Sequence, residues 1–318
     1  MIKVGLIVLN WNGLADTEKC LESLQHLEGV EIVVVDNGST DGSQEALRGK
    51  CTLIETGQNL GFAGGNNVGI EYGLKQGFDF FLILNNDTVV DPNIVQAFLE
   101  GFEAHPKAGI LGAKIYLMAE PNRFDHFGGM WNKKTLAFDY VGYRELDKGD
   151  WEESQRLDYV CGAALMVRRE VFEKVGLFDP RFFLFWEEAD LCFRARRAGF
   201  EVMSCPKAKI WHKVSASFTG KAHGAYFYWR NHLLWIERNF KGSKRVYYLA
   251  RLLGGKLFFF YAQKSVRTLQ LIMQRVTGRD TTRNRERIVR TNAAVCGMHD
   301  YLFRRFKAGR SKNFMNCH

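Results

Sequence analysis

Residues 80–88 read Phe80-Phe81-Leu82-Ile83-Leu84-Asn85-Asn86-Asp87-Thr88, so five apolar residues lead directly into four polar ones. An apolar run of this length is typical of a strand in a parallel sheet, which is buried on both faces. Ligands of such sheets bind beyond the carboxyl ends of the strands. The polar residues therefore predict a site at that edge, with oxygen atoms suited to Mg²⁺ or Mn²⁺ and substrate phosphates. A strand that ends in an Asx turn is the alternative interpretation.

Short apolar runs and helix-length segments alternate through the first third of the chain. Further strands are predicted at Val4–Leu9, Glu31–Val35 and Thr52–Glu55. Helices are predicted at Ala15–Leu27, Gly42–Arg48, Asn66–Gln76 and Pro92–Ala104. Their boundaries are marked by Asp41, by Gly77 and by the Asp91-Pro92 pair. The alternation predicts an α/β fold with a mostly parallel central sheet covered by helices on both faces.

The pattern changes after residue 107. Strands at Gly109–Leu117 and Tyr159–Val167, with a turn at Gly128-Gly129, predict a mixed-sheet extension that closes an active-site cleft. The next predicted elements are a helix over Glu187–Ala198, a strand over Glu201–Cys205 and the segment Ile210-Trp211-His212. From about residue 221 onward the pattern is helical, with aromatic residues on one face and Lys and Arg on the other.

Charge divides the chain into two parts. The 318 residues carry a formal net charge of +9, but residues 221–318 hold 21 Lys and Arg against 4 Asp and Glu, and residues 1–220 are net acidic. The basic end predicts an anionic partner. With 46% hydrophobic and 25% charged residues, the composition excludes a disordered, collagen-like or disulfide-scaffold protein.

Cysteine usage and the absence of targeting signals favour the cytosol. The seven cysteines are scattered and form neither a CxxC pair nor a zinc-site spacing, which is typical of a reducing compartment. The apolar start leads into Asn10-Trp11-Asn12 without a cleavage site, so a buried strand is expected there rather than a signal peptide. No stretch has the length and apolar character of a transmembrane helix.

Two more polar clusters follow predicted strands. Asp36 leaves a buried strand in the segment 33–41, where it can accept an N–H from a ligand, and a capped turn is the alternative. In Asn59–Asn67, glycines precede a helix whose N-terminus favours negative charge. This cluster lacks the Gly-Lys-Ser/Thr of a Walker loop and the spacing of a dinucleotide fingerprint.

Three carboxylates fall within four residues at Glu187, Glu188 and Asp190, directly after the apolar segment Phe182–Trp186. Such charges either face a cleft or stabilise the first turn of a helix. An apolar wall beside Glu188 is expected to raise its pKa toward the range of a general base. Further along the chain, His212 is either a metal ligand or a structural histidine.

In this order, the five clusters resemble family 2 inverting glycosyltransferases, which have the Rossmann-like GT-A fold. The resemblance covers about residues 1–240 and is greatest to the bacterial rhamnosyltransferase-type branch. Trp186-Glu187-Glu188-Ala189-Asp190 is similar to the Trp-Asp-Asp motif of galactofuranosyltransferases. The resemblance implies a GT-A catalytic domain over residues 1–220, with a nucleotide-sugar half to about residue 107 and an acceptor half over about 108–220.

The resemblance also implies the site residues. For the nucleotide sugar they are Asn10, Asn12, Asp36, Asn37, Ser39, Gly61, Gly64, Asn66 and Asn86. Within this set, Asp36 would accept the N3–H of a uracil or thymine base. For the metal, Mn²⁺ or Mg²⁺, the implied residues are Asp87, His212 and Asn85. For catalysis they are Glu188 as the base, with Glu187 and Asp190 orienting groups or the acceptor.

The sequence departs from the family pattern at two positions. Asn85 replaces the first carboxylate of the Asp-x-Asp motif, which weakens metal binding or leaves it to Asp87, His212 and the diphosphate. Glu188 stands where Asp is more frequent, and its extra methylene moves the carboxylate by about an ångström. Either carboxylate serves the implied chemistry, in which the base takes a proton from an acceptor hydroxyl that attacks with inversion.

Residues 221–318 combine aromatic and leucine faces with basic flanks, at Tyr226–Ile236 and Leu252–Tyr261. Such faces fit helices that lie in a membrane interface, and a helical subdomain with packed aromatic residues is the alternative. The region resembles the C-terminal part of the same branch, whose acceptors are often polyprenyl-diphosphate-linked glycans. We therefore expect a role in cell-surface polysaccharide synthesis, contact with an anionic membrane surface, and a cytoplasmic, peripheral location on the inner face of the cell membrane.

Two other classes of protein remain as alternatives. A sugar-phosphate nucleotidyltransferase shares the sheet architecture but would have a glycine-rich basic loop after the first strand, where Asn10–Leu14 contains no Lys or Arg. A nucleic-acid-binding protein would explain the basic end but not the acidic clusters at the sheet edge, so no nucleic-acid partner is expected. The donor, a dTDP- or UDP-sugar such as dTDP-rhamnose, is favoured by the resemblance alone.

Overall fold

The structure, a computed structural model, describes residues 2–214 and 222–306. It divides into two compact units. The first runs to Pro180 and resumes over Glu187–Val214, and it contains all the strands of the described chain. The second combines Arg181–Trp186 with the described residues from Ala222 onward and is helical.

The strands of the first unit form two sheets. They are β1 (Val4–Asn10), β2 (Val30–Asp36), β3 (Thr52–Glu55), β4 (Phe80–Asn85), β5 (Thr88–Val90), β6 (Ala108–Leu117), β7 (Glu120–Phe124), β8 (Gly128–Asn132), β9 (Ala137–Val141), β10 (Tyr159–Val160), β11 (Ala164–Arg168) and β12 (Glu201–His212). The large sheet has the order β3-β2-β1-β4-β11-β6-β12-β5, with β7 paired to β6. The small sheet has the order β10-β8-β9.

The first four strands of the large sheet are parallel, as their apolar patterns predicted. Leu6, Val34 and Leu82 in these strands are completely buried. The registers place Asn10 beside Asp36 and Leu9 beside Asn85. The polar ends of β1, β2 and β4 therefore meet at one edge of the sheet, where the sequence predicts the site.

Beyond β4 the sheet is mixed, in agreement with the predicted extension. β11 is antiparallel to both β4 and β6, and β12 is parallel to β6. The sequence predicted a strand over Glu201–Cys205 and a separate segment Ile210-Trp211-His212, whereas β12 is continuous and contains Pro206, which cannot donate to a ladder. A register shift between Cys205 and Lys209 accommodates this proline without ending the strand. The predicted strand Tyr159–Val167 instead divides into β10 and β11, which lie in different sheets.

The helices of the first unit are α1 (Leu14–Leu24), α2 (Ser43–Leu47), α3 (Gly61–Gln76), α4 (Ile94–Ala104), α5 (Arg169–Val175) and α6 (Glu187–Arg197). α3 begins at Gly61 rather than at the predicted Asn66, because the Gly61 N–H donates to Asn59 Oδ1 (2.8 Å) and the glycine cluster forms the first turns of the helix. A Cβ at Gly65 would lie only 2.4 Å from Leu9 Cδ1. Glycine at this position therefore lets α3 pack directly on β1.

The second unit contains α7 (Ala222–Asn239), α8 (Gly242–Val276) and α9 (Thr282–Leu302). α7 and α9 lie so close that a Cβ at Gly297 would be 2.2 Å from the Tyr226 carbonyl oxygen. Leu233 and Trp235 of α7 have no exposed surface. The prediction that Tyr226–Ile236 faces a membrane is therefore wrong, and packed aromatic residues describe α7. Within residues 2–214 and 222–306, no helix is both long and apolar enough to cross a bilayer.

The loop Arg181–Trp186 is held by α7. The Nδ2 atom of Asn231 donates to the carbonyl oxygens of Phe182 (2.6 Å), Leu184 (2.7 Å) and Phe185 (3.0 Å). Three bulky residues of the loop have φ angles in the left-handed region, namely Phe183 (64°), Phe185 (67°) and Trp186 (77°). Bulky side chains rarely adopt this conformation, so the shape of the loop depends on the contacts from α7.

Candidate active site

The end of β2 is organised around the carboxylate of Asp36. Its Oδ2 atom accepts a hydrogen bond from Asn10 Nδ2 (2.8 Å), and its Oδ1 atom accepts from the Ser39 N–H (3.0 Å) and Gln44 Nε2 (2.8 Å). Burial by itself would raise the pKa of Asp36, but these hydrogen bonds outweigh it and lower the pKa. Asp36 is thus an ionised, completely buried acceptor, and its Oδ2 atom has capacity for one more donor.

Asn12 connects the loops that follow β1 and β2. Its backbone N–H donates to Ser39 Oγ (2.9 Å), and its Oδ1 atom accepts from the Thr40 N–H (2.7 Å). Asn12 has a φ angle of 50°, which asparagine tolerates better than most residues. The structure therefore joins Asn10, Asn12 and Ser39 in one network with Asp36.

Asn37 connects β2 to the start of α3. Its Nδ2 atom donates to the Gly61 carbonyl oxygen (3.2 Å), and its Oδ1 atom accepts from the Leu60 N–H (2.9 Å). Asn66 is buried in α3, where its Nδ2 atom donates to a backbone carbonyl one turn earlier (2.9 Å). Gly64 lies in the same turns of the helix. These contacts give Asn37 and Asn66 a part in the fold. The placement of Gly61, Gly64 and Asn66 near the ribose and diphosphate stays a prediction.

Asn86 joins the end of β4 to the Asp36 network. Its Nδ2 atom donates to Thr17 Oγ1 (2.9 Å), and this hydroxyl donates to Asn10 Oδ1 (2.9 Å). Asn10 is the residue whose amide binds Asp36. The polar ends of three parallel strands are therefore linked by side-chain hydrogen bonds.

The three side chains predicted as metal ligands meet at His212, the last residue of β12. Asp87 Oδ1 lies 3.1 Å from His212 Nε2, and Asn85 Nδ2 lies 3.4 Å from the same nitrogen. The pairing of β12 with β5, which places His212 opposite Thr88, brings the histidine to the residues that follow β4. Strand pairing thus assembles a site from two distant parts of the sequence.

Asp125 belongs to the same cluster and was not predicted. Its Oδ2 atom lies 3.5 Å from His212 Nδ1, the ring nitrogen that does not face Asp87. Burial acts to lower the pKa of His212, but the interactions with Asp125 and Asp87 outweigh it and raise the pKa to about 9. The signal that could have identified this residue is the Asp125-His126 pair, which stands directly before the glycine turn.

These residues fit a divalent cation that also binds substrate. In the part of the chain that the structure describes, no three His, Cys, Asp or Glu side chains are arranged to hold a metal ion by themselves. Asp87 and His212 offer one oxygen and one nitrogen ligand, and a carboxylate behind the histidine is the usual support of such a ligand. A cavity of about 270 Å³ adjoins Asp87 and is also lined by Asp16, Lys19 and Lys213, of which Lys213 is paired with Asp16. Mg²⁺ is typically held by one or two protein ligands and by substrate phosphates, and Lys19 is the cation of this cavity that could face a phosphate.

Glu188 lies in the first turn of α6, is half-buried, and borders Gly162 and Phe62. A Cβ at Gly162 would lie 3.4 Å from Phe62 Cζ and 3.8 Å from Glu188 Cδ. Among the described residues, Glu188 Oε2 has no hydrogen-bond partner. Burial raises the pKa of Glu188 to about 7, against the opposing effect of backbone N–H groups at the start of the helix. The shift is in the direction that the sequence predicted.

The two neighbouring carboxylates differ from Glu188 in their surroundings. Glu187 is 3% exposed, and Asp190 is completely buried. Asp190 Oδ2 accepts from Arg194 Nε (2.7 Å), and the same guanidinium donates to the Leu177 carbonyl oxygen (2.8 Å). Asp190 therefore holds Arg194, which ties α6 to the backbone at Leu177. The action of Asp190 on substrate stays a prediction.

Residues of the small sheet also border the candidate base and were not predicted. Burial and the negative charge of Glu188 both raise the pKa of Tyr140, which places the two side chains within electrostatic reach. The rings of Tyr140 and Tyr143 are 5.6 Å apart and about half exposed, and His126 lies 4.9 Å from Tyr140. A period-2 pattern in such a short strand does not distinguish a site from a surface.

Comparison with known proteins decides the class of enzyme. Residues 6–176, more than half of the chain, match the model of Glycosyl transferase family 2. The chain belongs to glycosyl transferase family 2. This membership confirms the resemblance drawn from the sequence. It also excludes the alternative that the chain is a sugar-phosphate nucleotidyltransferase.

Several curated relatives of this family 2 glycosyltransferase are named as sugar transferases. It is 26% identical over 267 residues to the low-salt glycan biosynthesis hexosyltransferase Agl10 of Haloferax volcanii. The alignment covers 79% of this chain and 82% of the relative. It is 30% identical over 218 residues to the N-acetylglucosaminyl-diphospho-decaprenol L-rhamnosyltransferase of Mycobacterium tuberculosis, covering 60% and 69%. It is 25% identical over 186 residues to the dTDP-rhamnosyl transferase RfbF of Shigella flexneri, covering 58% and 60%. These relatives confirm the rhamnosyltransferase-like branch.

Solved structures confirm the GT-A fold of this family 2 glycosyltransferase. The mannosyltransferase PcManGT from Pyrobaculum calidifontis, in complex with GDP-Man and Mn²⁺, has a TM-score of 0.56 at 14% identity and covers 95% of this chain and 87% of that one. GalNAc-T7 with UDP, GalNAc and Mn²⁺ has a TM-score of 0.53 at 15% identity. The alignment covers 67% of this chain but 43% of GalNAc-T7. At these identities the similarity shows the fold alone.

Proposed function

We propose that this glycosyltransferase moves rhamnose or a similar sugar from a dTDP- or UDP-linked donor to a hydroxyl group of a lipid-linked glycan. The observation that carries the proposal is Glu188, a half-buried carboxyl group with a pKa of about 7 at the start of α6. A general base works best when its pKa lies near the operating pH. An ordinary surface glutamate has a pKa near 4.3 and would be a much weaker base.

In the proposed reaction, Glu188 accepts the proton of the acceptor hydroxyl. The hydroxyl oxygen forms a bond to the anomeric carbon while the bond from that carbon to the diphosphate oxygen breaks. The electron pair of the broken bond leaves with the nucleoside diphosphate. Because the oxygen attacks from the side opposite the leaving group, the anomeric configuration inverts.

Asp87 and His212, with Asn85, are the residues proposed to hold Mn²⁺ or Mg²⁺. When bound, such a cation supplies positive charge that stabilises the diphosphate leaving group. Asp125 Oδ2 lies 3.5 Å from the other ring nitrogen of His212 and is proposed to orient the ring. The Mn²⁺ in PcManGT and in GalNAc-T7 supports a divalent cation in this fold.

The proposed donor contains a uracil or thymine base. The Asp36 carboxylate has an acceptor position left at Oδ2, and the N3–H of these bases is a donor. Asn10, Asn12, Asn37 and Ser39 are proposed to line the same pocket. RfbF is by name a dTDP-rhamnosyl transferase, which supports dTDP-rhamnose as the first donor to test.

The proposed acceptor is a polyprenyl-diphosphate-linked glycan of cell-surface polysaccharide synthesis. The relative from Mycobacterium tuberculosis is named for a decaprenol-diphosphate acceptor. A lipid-linked acceptor places the reaction at a membrane, and the basic residues 221–318 suit an anionic one. We therefore propose that residues 1–220 carry catalysis and that the protein works as a peripheral protein on the inner face of the cell membrane.

A thermal-shift screen of nucleotide sugars, each with and without Mn²⁺, tests the donor class directly. We expect dTDP- and UDP-sugars to raise the melting temperature more than GDP- and ADP-sugars, because a ligand of the folded state stabilises it by mass action. The shift should be larger with Mn²⁺. A protein stabilised only by purine nucleotide sugars would contradict the proposed donor.

A further inference from the structure

α8 is apolar on two opposite faces. One face packs within the helical unit: Leu252 and Phe260 are buried, and Arg267 Nη1 donates to Thr291 Oγ1 (2.8 Å) of α9. The opposite face carries residues three or four positions apart, which lie in line on a helix. This outer stripe consists of Phe258, Ala262, Ser265, Leu269, Ile272, Met273 and Val276.

The outer stripe is exposed and carries no charge. Phe258 is 77% exposed, Leu269 is 63% exposed, and Val276 is 82% exposed. The stripe runs from Phe258 to Val276, and these 18 helical steps correspond to about 27 Å of helix. A continuous apolar surface of this kind marks an interaction site rather than an ordinary solvated face.

The charges of α8 indicate what covers this stripe. The helix contains seven Lys and Arg residues and no Asp or Glu. Helical geometry places Lys264 and Arg275 along one border of the stripe. An apolar stripe with a basic border is the pattern of a helix that lies in the headgroup region of an anionic membrane.

We propose that the outer stripe of α8 docks the protein onto an anionic lipid bilayer. A second copy of the chain would bring two sets of like charges together, and a nucleic acid would leave the apolar residues uncovered. An anionic bilayer surface accommodates both the apolar stripe and its basic border. The inference deepens the proposed action on a lipid-linked acceptor, and it moves the membrane contact from α7, where the sequence placed part of it, to the outer face of α8.

Flotation of the full-length protein with vesicles of phosphatidylcholine, with or without phosphatidylglycerol, tests this surface. We expect binding to the anionic vesicles that falls with added salt, and little binding to the neutral ones. The double variant Leu269→Ser, Val276→Ser should bind at least about tenfold more weakly. Val246→Ser is the matched control, because Val246 lies on the same helix, is 64% exposed and falls outside the stripe.

Two further measurements keep the outcomes distinct. All variants should keep the melting temperature of the parent protein and its thermal shift with nucleotide sugars. Loss of vesicle binding can then be distinguished from failure of the proposed glycosyl transfer. Equal vesicle binding by the double variant and the parent would overturn the proposal. If the parent protein is a dimer and the double variant is a monomer, the stripe belongs to an interface with a second copy. If both proteins bind unrelated RNA equally tightly and in a salt-sensitive way, the basic surface belongs to nucleic acid.

Discussion

His212 Nε2 lies 3.1 Å from Asp87 Oδ1, although His212 ends β12 and Asp87 follows β4. If this pair holds the cation, Asp87→Ala or His212→Ala should weaken Mn²⁺ binding in the presence of UDP or dTDP by more than about tenfold. Asp125→Asn should weaken it by about tenfold, because it removes the charge behind the histidine. Electron paramagnetic resonance of free Mn²⁺ measures this without turnover. Asp91→Ala is the control, and a loss as large as that of Asp87→Ala would contradict the assignment.

Glu188 should control the pH dependence of transfer. Because its pKa is raised to about 7, the carboxylate needed as a base is present above pH 7 and is lost as the pH falls. We expect kcat/KM to rise with pH up to a plateau above 7 in the parent. Glu188→Gln should lower kcat by about 10²- to 10⁴-fold with unchanged nucleotide-sugar binding, whereas Glu188→Asp should keep part of the activity. Near-normal turnover by Glu188→Gln would show that another group is the base.

The same pKa shift predicts that Glu188→Gln stabilises the protein at alkaline pH. Folding raises the pKa of this carboxyl group above its unfolded value, so ionisation opposes folding and stability falls as the pH rises from about 4.5 to 7. The glutamine does not ionise, so above pH 7 the variant should gain at most about 3 kcal/mol of unfolding free energy. The gain should be smaller than this limit, because solvent reaches the half-buried group and screens its charge. Urea denaturation at pH 8 and pH 4 measures this. The two proteins should be nearly equal at pH 4.

Asp36 should contribute to both stability and base recognition. Asp36→Ala removes the acceptor of Asn10, Ser39 and Gln44, and we expect a loss of about 2–3 kcal/mol of unfolding free energy. The pKa of Asp36 is lowered in the folded protein, so this contribution is present at neutral pH and lost as the pH falls through that value. Glu45→Ala, at an exposed position of α2, should have little effect.

The proposed contact of Asp36 with the base has its own test. UDP methylated at N3 cannot donate to the Asp36 carboxylate and leaves a buried acceptor unpaired, so it should bind at least about tenfold more weakly than UDP. Isothermal titration of both nucleotides measures the difference. Equal affinities would leave Asp36 as an organiser of the loop alone.

The sequence predicts the part of the fold in which each strand is buried on both faces. β1, β2 and β4 are near-continuous apolar runs, and their polar ends at Asn10, Asp36 and Asn85 locate one edge of the sheet. Glu188 is also accessible to such reasoning, because adjacent carboxylates after an apolar run require a cleft or a helix end.

The rest of the site depends on pairings between distant segments. Asp125 reaches His212 only because β7 and β12 both border β6, which no local pattern reveals. The aromatic face of α7 has the composition of a membrane-interface helix, and its burial follows from packing against α9, where Gly297 permits a close approach. Periodicity shows that a face is apolar, but it does not show what covers that face.

Asn231 should determine the conformation of the loop that leads into α6. Its single amide group donates to three carbonyl oxygens of residues 182–185, and three bulky residues of this loop hold left-handed backbone angles. Asn231→Ala removes these donors and should lower the free energy of unfolding by about 2–3 kcal/mol. Asn231→Asp should cost more, because it sets a carboxylate oxygen against carbonyl oxygens.

Chemical denaturation and limited proteolysis of the loop measure this effect. Asn239→Ala is the matched control, because Asn239 is buried on the same helix and its Nδ2 atom donates to the Trp235 carbonyl oxygen within α7. We expect cleavage between residues 181 and 186 to accelerate in both Asn231 variants and to remain slow in the control. If Asn231→Ala is as stable and as resistant as Asn239→Ala, then the loop holds its strained angles without the asparagine, and ring contacts such as the stacking of Phe227 of α7 on Phe183 are the cause.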